Sequence, residues 1–211
     1  IKERSPETKI LMLGGHPSAL PKQTLLEGKA DFVCQGEGPF TLLSLLQATD
    51  LEDAQQLKKV PGLWFRSGAE VISTSPAALI PGDQLSSVLP GIAWEKLPMQ
   101  SYRAHNWHCF DHIHERKPYA ALYTSLGCPF RCSFCCINAP FGRNTIRHWD
   151  LSLVISELDT LANRYGVRNI KIVDEMFVFQ AAQVERLCDA ILERGYNFNF
   201  WAYARVDTVQ D

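Results

Sequence analysis

The amino-acid sequence predicts an α/β fold, in which short buried strands alternate with helices. Three observations predict it. Two apolar runs, each stopped by glycines, alternate with helical stretches near the start of the chain. The same alternation resumes after residue 118, and a cysteine-rich loop directly follows one of the predicted strands. Strands that alternate with helices are typical of a parallel sheet. The composition, 46% hydrophobic and 21% charged, suits a globular chain with a substantial core.

Residues 1–50 contain two strand–helix units. Strands are predicted over residues 9–15 and 31–35, and helices over residues 20–30 and 40–48. Two strands make a poor sheet by themselves. We therefore expect this part to be the end of a larger domain.

Residues 51–118 are predicted to form a hairpin and a linker. Two strand-like runs flank Ser67 and Gly68, which is typical of a β-hairpin. The prolines that follow show no sustained periodicity and indicate connecting chain. Four of the six histidines lie between His105 and His114. Histidines can ligate zinc, but these have no regular spacing, so we interpret the segment as a solvated linker.

Residues 119–211 return to strand–helix order. Strands are predicted over residues 119–126, 169–175 and 198–207. Helices are predicted over residues 150–165, capped by Asp150 or Ser152, and over residues 181–194, closed by Gly195. Three such units cannot close a barrel, so we expect both ends of the chain to be truncated. The third strand would then have an unpaired edge.

The cysteines are concentrated in one loop, which holds four of the seven within nine residues. Three of them, Cys128, Cys132 and Cys135, have the spacing C-x3-C-x2-C. An odd cysteine count without a secretory signal disfavours disulfides and indicates a reducing cytoplasm. Structural zinc usually needs two C-x2-C pairs, and the loop has one. Three thiolates suit a [4Fe–4S] cluster with one open iron. We expect Cys136 to point elsewhere.

This spacing, with the aromatic Phe134 before the third cysteine, resembles that of the radical S-adenosylmethionine (SAM) superfamily. The resemblance covers the chain from Tyr119 onward and implies the first half of a (β/α)6 partial TIM barrel. It also implies a [4Fe–4S] cluster whose open iron binds SAM, and cleavage of SAM to a 5′-deoxyadenosyl radical. Phe134 would lie beside the adenine, Asp174 or Glu175 would hold the amino group, and Arg205 would hold the carboxylate. A helix cap and a surface ion pair are the alternative roles for these charged residues.

Residues 1–50 resemble the last part of a Rossmann-like cobalamin-binding domain that is fused to radical SAM barrels. Glycine turns follow both strands, where they would let the backbone lie against the corrin and its nucleotide tail. Simple turn formation is the alternative. His16 is not in the D-x-H-x-x-G setting that coordinates cobalt in some such domains. The residues that carry this resemblance are Gly14, Gly15, Gly36, Glu37 and Gly38.

The combined resemblance implies an enzyme that methylates or cyclises an unactivated carbon of a small molecule, with flavodoxin or ferredoxin as electron donor. One alternative is a methylthiotransferase-like enzyme, which would need extra N-terminal cysteines where this chain has Cys34 alone. Another is a metal-stabilised binding module without chemistry. The net charge of −2 gives no signal for nucleic acid. No apolar run approaches the roughly 20 residues that span a membrane, so we expect a cytoplasmic protein.

Overall fold

The computed structural model describes residues 1–109 and 112–209, and these residues confirm a mixed α/β fold. They form two compact units. The first unit comprises Ile1–Leu79 and Pro129–Thr145. The second comprises Ile80–Cys128 and the described residues from Ile146 onward. The chain from Pro129 to Thr145 therefore packs as part of the first unit, although its flanking strands belong to the second.

The first unit contains a four-stranded sheet whose strands follow one another in sequence order. The pairing of β1 with β2 is parallel, whereas β2–β3 and β3–β4 are antiparallel. The predicted hairpin is therefore present and extends the same sheet as the first two strands. The elements are β1 (Leu11–Met12), α1 (Gly15–Ala19), α2 (Pro21–Glu27), β2 (Phe32–Cys34), α3 (Pro39–Leu46), α4 (Ala54–Leu57), β3 (Leu63–Ser67) and β4 (Glu70–Ser73).

Apolar side chains from the sheet and from the helices α3 and α4 form the core of the first unit. Pro21 and Pro39 begin α2 and α3, where the missing N–H would have had no helical partner. The guanidinium of Arg66 in β3 donates to the carbonyls that end α2 and its loop, at 2.5 Å from Leu25 and 2.7 Å from Ala30. The hairpin is thereby tied to the helical layer. The buried core residues are Phe32, Leu45, Leu57, Val60, Leu63 and Phe65.

The second unit contains a three-stranded parallel sheet of order β5-β8-β9 and a separate antiparallel pair, β6 with β7. The predicted strand over residues 119–126 is broken at Tyr123 and Thr124. The strand β7 was not predicted, and β9 is shorter than predicted. The elements are α5 (Leu85–Val88), β5 (Tyr119–Leu122), β6 (Ser125–Gly127), β7 (Ile146–His148), α6 (Leu151–Asn163), β8 (Asn169–Ile172), α7 (Ala181–Glu193) and β9 (Asn199–Trp201).

The parallel sheet buries one face against α6 and α7. Alternate residues of the strands, such as Leu122, Ile170 and Ile172, join this core, as the period of two in a strand requires. The intervening residues Tyr119 and Lys171 lie on the opposite face and stay partly exposed. None of the helices in the described part of the chain is long and apolar enough to cross a membrane.

Gly62 in the first unit occupies a turn without room for a side chain. Its φ is +70°, and a Cβ there would lie 2.8 Å from the Gln35 carbonyl oxygen and 2.9 Å from Thr41 Oγ1. Gly68 has a similar φ of +60°, but nothing lies within 4 Å of its Cβ position. We expect Gly62→Ala to lower the free energy of unfolding by about 2–4 kcal/mol, and Gly68→Ala by about 1 kcal/mol, in urea titrations. Equal decreases in the free energy of unfolding of the two variants would show that the close approach of other atoms to Gly62 does not affect stability.

Candidate functional site

The carboxyl ends of β5 and β8 are joined by the side chain of Asp174. Adjacent parallel strands present these ends on one edge of the sheet. Asp174 is 1% exposed. Its carboxylate accepts hydrogen bonds from the Thr124 backbone N–H at 2.6 Å and from the hydroxyls of Thr124 at 2.5 Å and Ser125 at 2.7 Å. The structure therefore uses this carboxylate to hold the chain that leads into the cysteine loop, and its predicted contact with the SAM amino group stays a prediction.

Glu175 lies at the same edge and differs from its neighbour in its surroundings. It is half-buried, and among the described residues it has no hydrogen bond or ion pair. Burial raises the pKa of Glu175, the nearby carboxylate of Asp174 raises it further, and Lys171 partly counteracts both. A carboxylate in this setting gains most from a cationic partner. Of the two predicted acids, Glu175 is the one whose oxygens are available to an ammonium group.

Arg205 lies beyond the end of β9, in extended backbone that leads into a short 3₁₀ turn. Its Nε and Nη2 donate to the two carboxylate oxygens of Asp207 at 2.8 and 2.6 Å. This contact lowers the pKa of the Asp207 carboxyl. The structure thus shows the ion pair that was the alternative role for Arg205. Its predicted contact with the SAM carboxylate would require an exchange of partners.

On the face of the parallel sheet opposite the helices, a lysine side chain lies among aromatic rings. This group of side chains was not predicted from the sequence. Lys171 Nζ lies 4.7 Å from the ring centre of Trp201 and 5.0 Å from that of Tyr203, and it donates to the Tyr203 hydroxyl at 3.2 Å. The rings of His108 and Tyr119 extend this group. Cation–π contacts hold the ammonium without a carboxylate. The sequence signal for this face was the alternation in β8, where Lys171 lies between the core residues Ile170 and Ile172 and therefore points to the other side of the sheet.

The cysteine loop of the first unit turns back on itself at the sulfur-bearing residues. The Cys135 backbone N–H donates to the Cys132 carbonyl at 3.1 Å. Neither residue is in a disulfide within the described part of the chain, Cys132 is half-buried and Cys135 is exposed. Phe134 between them is 91% exposed, so its ring does not pack under the loop. A loop that presents thiols and an aromatic ring to solvent has the groups that a metal cluster and a planar ligand need.

Two asparagine side chains that were not predicted brace this loop. The amides of Asn138 and Asn144 both donate to the carbonyl of Phe130, the former at 3.3 Å. The Ala139 N–H also donates to the carbonyl of Cys136 at 2.9 Å. The loop conformation is therefore maintained by hydrogen bonds within the loop.

The positions of the loop thiols can be compared with the sulfur spacing of a mononuclear zinc site. In tetrahedral zinc sites the Zn–S distance of about 2.3 Å places sulfurs about 3.8 Å apart. In the described part of the chain, the three-residue group whose ligand atoms all lie within 4.8 Å of one another is His112, His114 and Glu115, and the loop thiols do not form one.

The two glycine turns of the first unit lie at one edge of its sheet, because β1 and β2 are parallel. Gly14 and Gly36 both have a φ of +121°, which favours glycine. The buried hydroxyl of Ser18, in α1, accepts from the Gly36 N–H at 3.2 Å and lies 3.3 Å from the Gly36 carbonyl oxygen. Ser18 was not predicted, and its contact joins the two turns. Glu37 is half-buried in the second turn, and Gly38 is buried.

The cysteine loop lies against these turns within the first unit. A Cβ on Gly15 would lie 4.0 Å from the Cys136 sulfur, and one on Gly36 would lie 3.9 Å from the Pro140 carbonyl oxygen. A Cβ on Gly14 would meet nothing within 4 Å. Gly14 is therefore the open part of the turns, whereas Gly15 and Gly36 face the loop.

The bonding of Asp174 predicts unequal effects for two conservative substitutions. Asp174→Asn would place an NH₂ group among hydrogen-bond donors, and we expect it to lower the free energy of unfolding by about 2–3 kcal/mol. Glu175→Gln removes a half-buried charge that has no hydrogen bond, and we expect a change within about 0.5 kcal/mol. Denaturant titrations of both variants measure the difference. A large loss for Glu175→Gln would show that this side chain also has a structural role.

Several known proteins are similar to most of the chain. It is 29% identical over 203 residues to an uncharacterized methyltransferase of Pyrococcus horikoshii, covering 96% of this chain and 41% of that protein. It is 27% identical over 210 residues to the anaerobic magnesium-protoporphyrin IX monomethyl ester cyclase of Synechocystis, covering 99% and 39%. The cobalamin-dependent radical SAM methyltransferase TokK of Streptomyces tokunonensis is 27% identical over 188 residues, covering 88% and 26%. The chain spans about two fifths or less of the length of these relatives.

Two solved structures have a similar fold. TsrM from Kitasatospora setae, a radical SAM methyltransferase with cobalamin and a [4Fe–4S] cluster bound, matches with a TM-score of 0.60 at 17% identity, covering 94% of this chain and 37% of that one. The cobalamin-dependent SAM radical enzyme OxsB matches with a TM-score of 0.65 at 21% identity, covering 99% and 28%. No protein-family model matches the chain. The cysteine spacing indicated a resemblance to radical SAM enzymes and the glycine turns of residues 1–50 indicated one to their cobalamin-binding members, and these relatives confirm both.

Proposed function

We propose that this chain is part of a cobalamin-dependent radical SAM enzyme that methylates or cyclises a small molecule at an unactivated carbon. The observation that carries the proposal is the C-x3-C-x2-C spacing directly after the strands β5 and β6, in a chain whose relatives are methyltransferases and cyclases. The exposed side chains of Cys135 and Phe134 in the loop support it.

We assign the two parts of the chain accordingly. The parallel strands and glycine turns of residues 1–50 would correspond to the end of a Rossmann-like cobalamin-binding domain. Residues 51–118 add the hairpin strands β3 and β4 to the same sheet and then connect it onward. The parallel strands from Tyr119 onward, with α6 and α7 on one face, correspond to the first half of a (β/α)6 partial TIM barrel. Strand order and helix placement support this assignment.

Cys128, Cys132 and Cys135 would hold the cluster through their thiolates. When bound, the cluster supplies the electron that cleaves SAM to the 5′-deoxyadenosyl radical. Asp174 fixes Thr124 and Ser125 just before the loop, and so positions the first ligand along the chain. Glu175 would accept hydrogen bonds from the SAM ammonium, which would offset the cost of its partial burial.

The remaining SAM contacts would come from the exposed Phe134 and the half-buried Arg205. Phe134 offers its ring to the adenine. The guanidinium of Arg205 already makes a bidentate contact with the Asp207 carboxylate, and the same geometry suits the carboxylate of SAM. When SAM binds, its carboxylate would replace the Asp207 carboxylate as the partner of Arg205.

Gly14 offers the open backbone against which cobalamin would lie, since a Cβ there would meet no atom. Gly15, Gly36, Glu37 and Gly38 would complete the turns around it. Because Gly15 also lies against the Cys136 sulfur, the turns would support the cysteine loop as well.

The substrate would face the side of the sheet that carries Lys171, Trp201 and Tyr203. Aromatic rings around an ammonium group suit a small molecule with a flat apolar part and a polar or anionic part. A flavodoxin or ferredoxin would donate electrons, in the cytoplasm.

The methylthiotransferase alternative is not supported by Cys34. This residue is fully buried in β2, and burial raises the pKa of its thiol. A buried, protonated thiol is a poor ligand for a second cluster. The competing hypothesis is a non-catalytic, metal-stabilised module. Analysis of the bound metal distinguishes this module from a radical SAM enzyme.

Iron and sulfide analysis after anaerobic reconstitution tests the proposal. We expect about four irons and four sulfides per chain, with the broad visible absorbance of a [4Fe–4S] cluster. Cys128→Ala, Cys132→Ala and Cys135→Ala should each abolish both signals, because each removes one of three ligands. Cys136→Ala is the matched control and should retain them.

Two results would contradict the proposal. One zinc ion per chain in place of iron would support a metal-stabilised module. Loss of the cluster in Cys136→Ala alone would mean that the ligands are wrongly assigned.

A further inference from the structure

We propose that His112, His114 and Glu115 form a binding site for a divalent transition-metal ion such as Zn²⁺ or Ni²⁺. One ligand atom from each side chain lies within 4.8 Å of the other two. His114 Nε2 is 3.6 Å from Glu115 Oε1. The two imidazole rings are edge-to-face, with centroids 6.1 Å apart. Three side chains of the appropriate types thus converge on one point.

The donor set matches the preferences of these ions. Imidazole nitrogens and a carboxylate oxygen bind zinc at about 2.0–2.2 Å, which places the ligand atoms about 3–3.5 Å apart. The observed separation of His114 and Glu115 needs only a small contraction to reach that range. Three protein ligands leave at least one position for water, and all three side chains are exposed, so an ion has direct access.

The backbone beneath the ligands is fixed to the sheet. His114 and Glu115 belong to a short 3₁₀ turn, Ile113–Glu115. The Glu115 carbonyl accepts from the side chain of Asn169, at the start of β8, at 2.7 Å. The His112 N–H donates to the carbonyl of Cys109 at 2.9 Å, and Cys109 is 1% exposed. Anchors on both sides mean that binding an ion orders little additional backbone.

The position of this group separates it from the chemistry proposed above. It lies at the amino end of β8, whereas Asp174 and Glu175 follow the carboxyl end of the same strand. An ion here would be bound by three residues of the segment before β5. It would lie close to the hydrogen bond that joins the Glu115 carbonyl to Asn169 of β8. We therefore infer a structural role, in which the ion fastens the segment that precedes β5 and stabilises the second unit.

Nickel titration tests this site independently of the iron–sulfur cluster. A background with Cys128→Ser, Cys132→Ser, Cys135→Ser and Cys136→Ser removes the competing thiols of the cysteine loop. Calorimetry with Ni²⁺ should show one ion per chain, and saturating Ni²⁺ should raise the melting temperature, because an ion that binds only the folded state stabilises it. His112→Ala and His114→Ala should each weaken binding by more than about tenfold, since even the loss of an outer-shell partner costs about that much.

His105→Ala is the matched control, because His105 is an exposed histidine of the same segment that is not among the three converging ligands. It should retain both the affinity and the shift in melting temperature. If His105→Ala weakens binding as much as His114→Ala does, the histidines bind metal without a defined site and the proposal fails. It fails equally if Ni²⁺ does not bind to the background protein.

Discussion

The carboxylate of Asp174 is the interaction on which the edge of the parallel sheet depends. A carboxyl group that is almost completely buried is costly unless its oxygens are hydrogen-bonded, and Thr124 and Ser125 supply three hydrogen bonds. These bonds stop β5 at Leu122 and redirect the chain into β6, from which the cysteine loop follows. They also separate the roles of two adjacent acids, because Asp174 is satisfied within the protein and Glu175 is not.

The two faces of the parallel sheet in the second unit differ in their side chains. The face against α6 and α7 is apolar and buried. Glu157 of α6 extends this contact by accepting hydrogen bonds from the Ile92 N–H at 3.1 Å and the Trp94 indole at 2.7 Å. Burial raises the pKa of Glu157, and the two donors counteract the rise. The opposite face carries Lys171 and its aromatic neighbours Trp201 and Tyr203.

Sequence reasoning found the strands and helices whose apolar pattern is strong, and it missed those that depend on tertiary contacts. The strand β7 reads Ile-Arg-His, which does not resemble a buried strand. Arg147 is nevertheless 7% exposed, because its guanidinium donates to the Ile80 carbonyl at 2.6 Å. The interpretation of the histidine-rich segment as a solvated linker is wrong for His108, whose ring packs on Tyr119 and Trp201, and for the buried Cys109. Neither contact is visible in local spacing.

The same limit applies to the candidate site. The spacing of the three cysteines is local and could be recognised, as could the two acids after β8. Which acid is free depends on Thr124 and Ser125, about fifty residues earlier in the chain, and the contact of Ser18 with Gly36 likewise joins separate turns. Long-range hydrogen bonds therefore determine which of the two acids is available and how the two glycine turns are joined, and local sequence spacing does not show such bonds.

In the proposed function, the cysteine loop would hold a [4Fe–4S] cluster with one iron open to SAM. Electron paramagnetic resonance of the reduced, reconstituted protein, before and after SAM is added, tests it most directly. We predict that SAM changes the spectrum of the cluster and that Glu175→Gln needs more SAM for the same change. If the spectrum of a fully loaded cluster does not respond to SAM, no iron of the cluster is open to SAM and the proposed function is wrong.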